Sequence, residues 1–138
     1  MRTREVRIVF ASMVMLVAIL ACTGLAAAPS VSNIRMTKDQ AGKTPTTTYA
    51  PGDAFYAYAD VSGLSKGSVV EARWYALNAQ GLSPNTALNT STYTYESGVA
   101  TVYFQLTTGD GSDWPTGTYM VELYLDGTKV GGQSFTVQ

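Results

Sequence analysis

Hydrophobic and polar positions alternate with a period of two over most of the chain beyond residue 30. In residues 99–106, Ala100, Val102, Phe104 and Leu106 point one way, and Val99, Thr101, Tyr103 and Gln105 the other. Residues 117–126 repeat the pattern, with Tyr119, Val121, Leu123 and Leu125 inside and Met120, Glu122, Tyr124 and Asp126 outside. Residues 69–77 set Val70, Ala72, Trp74 and Ala76 against Glu71, Arg73 and Tyr75, and residues 54–62 offer Phe55, Ala57, Ala59 and Val61 as an inner set. Successive side chains of a strand face opposite ways, so this pattern predicts antiparallel sheets covered on one side. Edge or terminal strands are expected at 31–37, around 91–95 and at 133–137, where Phe135 and Val137 face in. No amphipathic helix of useful length is found there.

The punctuation agrees. Asp126-Gly127 stands between two strand patterns, and a type I′ hairpin turn needs positive φ at both of its central residues. Residues 38–52 and 78–92, rich in Thr, Asn, Gly and Pro, read as polar loops. The expected architecture is all-β: a single antiparallel sandwich of about seven strands over residues 31–138.

The N-terminus follows another pattern. Three arginines and one acid in residues 1–7 precede fourteen uncharged residues, 8–21, the form of an export signal. The lone cysteine, Cys22, follows directly. Ile19-Leu20-Ala21-Cys22 resembles the lipobox of bacterial lipoproteins, in which the signal is cut before the cysteine and the thiol carries a diacylglycerol. The resemblance implies a signal peptide at 1–21, a lipidated Cys22, a short tether over 22–30, and attachment to the membrane through that lipid. Two alternatives stay open: secretion after cleavage near 25–28, and an uncleaved helical anchor over 8–28, long enough at about 20 residues to span a bilayer. All three place the remainder outside the cytoplasm.

The order of landmarks in residues 31–138 resembles the immunoglobulin-like superfamily, including fibronectin-III-like modules. Trp74 on the third strand matches its buried tryptophan, and Gly117-Thr118-Tyr119-Met120-Val121 its tyrosine corner, with Val121 where antibody domains carry a cysteine. Lacking that disulfide, the core must hold by packing alone. The segment 114–137 also looks like immunoglobulin-like modules of exported bacterial proteins.

Composition narrows the chemistry. The chain has 138 residues, no histidine and one cysteine, so triads, Cys-His pairs, ordinary zinc sites and internal disulfides cannot be built within it. Cleavage before Cys22 would leave six basic and nine acidic side chains, a net −3 that recruits neither nucleic acid nor anionic lipid. Asp110 and Asp113 share a Gly-rich corner, but acidic turns are ordinary and no metal or other cofactor is expected. Glu71 and Glu122 share an outer face, the minimum for glycoside hydrolysis, yet Arg73 and Tyr124 beside them favour a solvated charge pair. No catalytic residue is assigned.

Tyr56, Tyr58, Tyr75, Tyr103 and Tyr124 are all expected to point outward, and Trp114 stands at a corner. Exposed aromatic rings suit protein or glycan surfaces, and tyrosine is also a good strand former. The expectation is a non-catalytic interaction or structural module binding an envelope protein or glycan. The alternatives are a small-ligand or polysaccharide-binding accessory protein of an export or uptake system, and a secreted hydrolase.

Overall fold

A computed structural model of the chain describes residues 27–138. The expected signal or anchor segment and Cys22 lie outside the described residues. Eight strands follow one another: β1 (Ser30–Thr37), β2 (Thr48–Tyr49), β3 (Phe55–Ser62), β4 (Val69–Ala79), β5 (Thr86–Thr94), β6 (Thr101–Leu106), β7 (Gly117–Leu125) and β8 (Thr128–Val137). They form a three-stranded sheet, β1-β3-β6, packed on a five-stranded sheet, β2-β8-β7-β4-β5. Every pairing is antiparallel except β2 with β8.

Alternation builds the core as expected in β3, β4 and β7. Phe55, Trp74 and Tyr119 are fully buried, and each such side chain contributes roughly 1.5–3 kcal/mol by leaving water. Phe55 is the hub, with ring centroids at 4.7 Å to Phe135, 4.8 Å to Trp114 and 4.9 Å to Tyr49. Tyr119 closes the tyrosine corner by donating its hydroxyl to the Pro115 carbonyl at 2.5 Å. The indole N–H of Trp74 is buried without a partner, which costs about 1–3 kcal/mol in an otherwise apolar centre.

Four expectations change. The count is eight strands, because Tyr49 in the polar stretch 38–52 is drawn into the core and its backbone joins β8. The stretch 78–92 is mostly strand, because β5 is an edge whose Thr and Asn side chains face water. β8 begins at Thr128, directly after a hairpin in which Asp126 (φ 48°) and Gly127 (φ 84°) take the expected positive angles. β6 begins only at Thr101, and Ala100 is exposed while Val99 packs on the core, because the turn at Gly98 shifts the entry into the strand.

The strands give the domain two poles. Residues 27–30 and the turns at 63–68, 95–100 and 126–127 share one, tied by Gly67 N–H to the Tyr95 carbonyl (2.8 Å) and Asp126 N–H to the Val69 carbonyl (2.9 Å). Here Ala27 and Ala28 lie against Gly63 (φ 67°), where a Cβ would meet the Ala27 carbonyl oxygen at 2.5 Å. The loops 38–47, 80–85 and 107–116 and Gln138 gather at the opposite pole, tied by Trp114 N–H to the Pro51 carbonyl (2.7 Å) and Gln138 N–H to the Tyr49 carbonyl (3.0 Å). An eight-residue strand such as β3 puts about 25 Å between them.

Candidate functional site

The five outward tyrosines do not form one surface. Tyr56, Tyr58 and Tyr103 lie on the outer face of the three-stranded sheet, Tyr75 and Tyr124 on that of the five-stranded sheet. Tyr58 and Tyr103 stand opposite one another on β3 and β6 and stack at 5.4 Å. Tyr103 is 45% exposed, but Tyr58 only 9%. The loop after β1 folds over it: the Tyr58 hydroxyl donates to the Gln40 carbonyl, and Gln40 Nε2 donates to the Tyr103 hydroxyl at 2.8 Å. Gly42 (φ 68°) makes this cover fit, since a Cβ there would come within 2.9 Å of the Tyr58 ring. Burial pushes the Tyr58 hydroxyl pKa up, with Tyr103 and Asp39 adding to it. Tyr56 is half-buried and accepts from Gln105 Nε2 at 3.2 Å.

On the opposite face Arg73 lies over the Tyr124 ring, 3.9 Å from its centroid, and its Nε donates to Glu71. Glu122 accepts from the Tyr124 hydroxyl at 2.7 Å and from Lys129 Nζ at 2.9 Å. These two donors hold the Glu122 carboxyl below its usual range. A glycosidase acid needs the reverse, a raised pKa that keeps a proton to donate. Glu71 and Glu122 therefore belong to a cross-strand ladder with Arg73, Tyr124 and Lys129, and Tyr75 is half-buried beside it.

Trp114 is a lid on the far pole. Its ring stacks on Phe55 (interplanar 25°) and its Nε1 donates to the Asp53 carbonyl at 3.1 Å. Concavities flank it: one of about 280 Å³ between Gly52–Ala54 and the 107–112 loop, and one of about 480 Å³ floored by Leu82, Leu88, Leu106 and Pro115. Asp113 stands in the wall of the larger groove, and Asp110 Oδ1 caps its own turn by accepting Ser112 N–H at 2.9 Å. Among the described residues no three His, Cys, Asp or Glu side chains converge as a metal site would require. Sequence reasoning singled out Trp114 but not its groove. The usable signal is Leu82 and Leu88, isolated apolar residues in an otherwise polar stretch.

Comparison with solved structures places this architecture. An immunoglobulin-like protein from Pseudomonas aeruginosa superposes with a TM-score of 0.55 at 13% identity, covering 79% of this chain and 97% of its own. The fold is immunoglobulin-like. A β-glucosidase from Listeria innocua, solved with gluconolactone, matches at a TM-score of 0.51 and 13% identity over 80% of this chain and only 16% of the enzyme. The immunoglobulin-like chain thus corresponds in length to a small fraction of that enzyme, and at such identity the likeness is one of fold alone. No protein-family model and no curated protein matches the chain.

Proposed function

We propose that this is an exported envelope protein, held at a membrane by a lipid on Cys22, whose immunoglobulin-like domain is a non-catalytic interaction module. The observation that carries the reading is the polarity of the domain: residues 27–30 enter at one pole, and the two grooves beside Trp114 open at the other. A tether on the first pole turns the grooves away from the bilayer, where a protein or glycan of the envelope meets them. End loops on a rigid sandwich are well suited to this, because the scaffold fixes their spacing. Two or more acyl chains on Cys22 would supply the attachment that a chain of mild negative charge cannot obtain from anionic headgroups.

Intact mass and membrane partitioning of the expressed protein, beside Cys22→Ala, test the anchor. Loss of residues 1–21 with an acyl-sized gain, absent in the variant, is the expected result. An unmodified Cys22 refutes it. A photo-crosslinking residue at Ser112 on the far pole should yield envelope adducts, and one at Ser97 on the near pole should not; the opposite pattern removes the outward-facing role. A polysaccharide-binding accessory role is the second reading, favoured by the Trp114 ring lining both grooves. It requires polysaccharide retention that falls in Trp114→Ala.

A further inference from the structure

β6 is a free edge. Val61 donates its N–H to the Ala100 carbonyl at 2.9 Å, which sets the phase of the β3–β6 ladder. Hydrogen-bonded positions in an antiparallel pair recur at every second residue. Val102, Phe104 and Leu106 therefore bond β3, and the backbone N–H and C=O groups of Thr101, Tyr103 and Gln105 point away from it. Among the described residues no other strand or loop takes these groups up. Native edges avoid stray pairing with charges, prolines or bulges. β1, the opposite edge of the same sheet, has a bulge between Ser32 and Arg35, Asn33 at φ 49° and the charge of Arg35. The sequence of β6, Thr-Val-Tyr-Phe-Gln-Leu, has no charge or proline, and its register with β3 is unbroken.

Beside this edge the sheets part. An opening of about 210 Å³ is lined by Tyr93, Val99, Thr101, Val102 and Tyr103, and the Leu88–Leu106 groove lies further along towards the far pole. We infer that β6 receives an extended segment of a partner protein as an added antiparallel strand, its alternate side chains apolar and its N-terminal end basic. The free backbone groups of Thr101, Tyr103 and Gln105 supply the main-chain bonds, as in other strand-addition complexes. Partner residues opposite Val102 and Phe104 turn towards the opening between the sheets, hence the apolar alternation. An antiparallel strand enters at the far pole, where Asp110 and Asp113 are exposed and, among the described residues, take part in no ion pair. A cation at its start meets them.

A second copy is the competing occupant, since β6 could pair with itself about Tyr103. That pairing is antiparallel and sends the two near poles in opposite directions, so copies tethered to one membrane cannot use it. This step rests on the anchored reading above.

Amide exchange at Thr101, Tyr103 and Gln105, read by NMR on the full chain in detergent micelles, tests the inference. The probe is a ten-residue peptide of alternating valine and threonine begun by lysine, at a concentration on the order of millimolar. The three amides should exchange freely alone and slow by roughly tenfold or more with the peptide. A peptide N-methylated at every second residue on its pairing edge should leave them unprotected, and Tyr103→Lys should weaken the effect of the unmodified one. Unchanged exchange with the probe overturns the inference. So does protection without it, which would mean that the edge is already covered, or protection that grows with protein concentration, which would mean a second copy. The mass of the processed chain reads the anchor separately, so failure of one reading is distinguishable from failure of the other.

Discussion

Along the side where β1 meets β8, the two-residue β2 runs parallel to β8, and Tyr49 sinks into the core and donates its hydroxyl to the Thr37 carbonyl at 2.7 Å. Along the other side β5 and β6 barely touch, and partly buried residues such as Leu88, Tyr93 and Val99 floor an opening that no strand crosses. The first side is closed by an aromatic ring and by main-chain bonds from residues 46–49 to both sheets, Thr46 N–H to the Met36 carbonyl and Thr136 N–H to the Thr47 carbonyl among them. The second has apolar material but nothing laid over it. Closing a sandwich thus takes a segment that crosses between the sheets, and the 38–49 stretch supplies one on a single side.

The largest test of this contrast is Tyr49→Ala, which should cost about 3–5 kcal/mol in denaturant unfolding because it empties a sealed site. Leu88→Ala on the open side should cost only about 1 kcal/mol, and equal losses would abolish the distinction. Gly131→Ala comes next. Its Cβ would stand 2.7 Å from Ile34 Cδ1, where β8 passes under β1, and the flexible end of Ile34 limits the loss to about 1–2 kcal/mol.

Acid should loosen the three-stranded sheet. Asp60 on β3 accepts from Asn33 Nδ2 (2.8 Å) and Arg35 (3.0 Å) of β1 and from Thr101 Oγ1 (3.2 Å) of β6. The bonds from Asn33 and then Arg35 lower its pKa in the folded protein. A carboxyl depressed on folding stabilises above its unfolded pKa of about 4, and that contribution disappears as pH falls through the folded value. The denaturation midpoint should therefore fall between about pH 5 and pH 2, and Asp60→Asn should flatten the Asp60 share of that slope, a small one for so exposed a pair. Thr92→Lys on the β5 edge is the smallest effect. It should change stability by less than about 0.5 kcal/mol, and a larger loss would mean that this edge is already in use.

Periodicity carried the four strands that supply most of the core, because β3, β4, β6 and β7 each bury alternate apolar side chains. It could not show β2, where a single tyrosine in a Thr-rich stretch supplies the whole inward face. It also missed the first half of β5, because an edge strand facing water needs no apolar alternation, and the first half of β8, where Gly131 and Gly132 interrupt the pattern to let neighbouring chain approach. Trp114 as a corner residue was legible. The division of the tyrosines between two faces was not, since alternation says that Tyr58 and Tyr75 point outward but not that β3 and β4 lie in different sheets. The covering of Tyr58 depends on a loop folding back at Gly42, a tertiary event with no local signature.

The placement of the first and last described strands also decides how the domain bears load. β1 starts at the near pole and β8 ends at the far one, beside Gln138. If a tether holds the first pole and a partner the second, tension runs along the strands, across hydrogen bonds that lie perpendicular to it. The β1–β3 ladder, at which the chain enters the domain, is then strained in shear, all its bonds at once, instead of being unzipped one pair at a time.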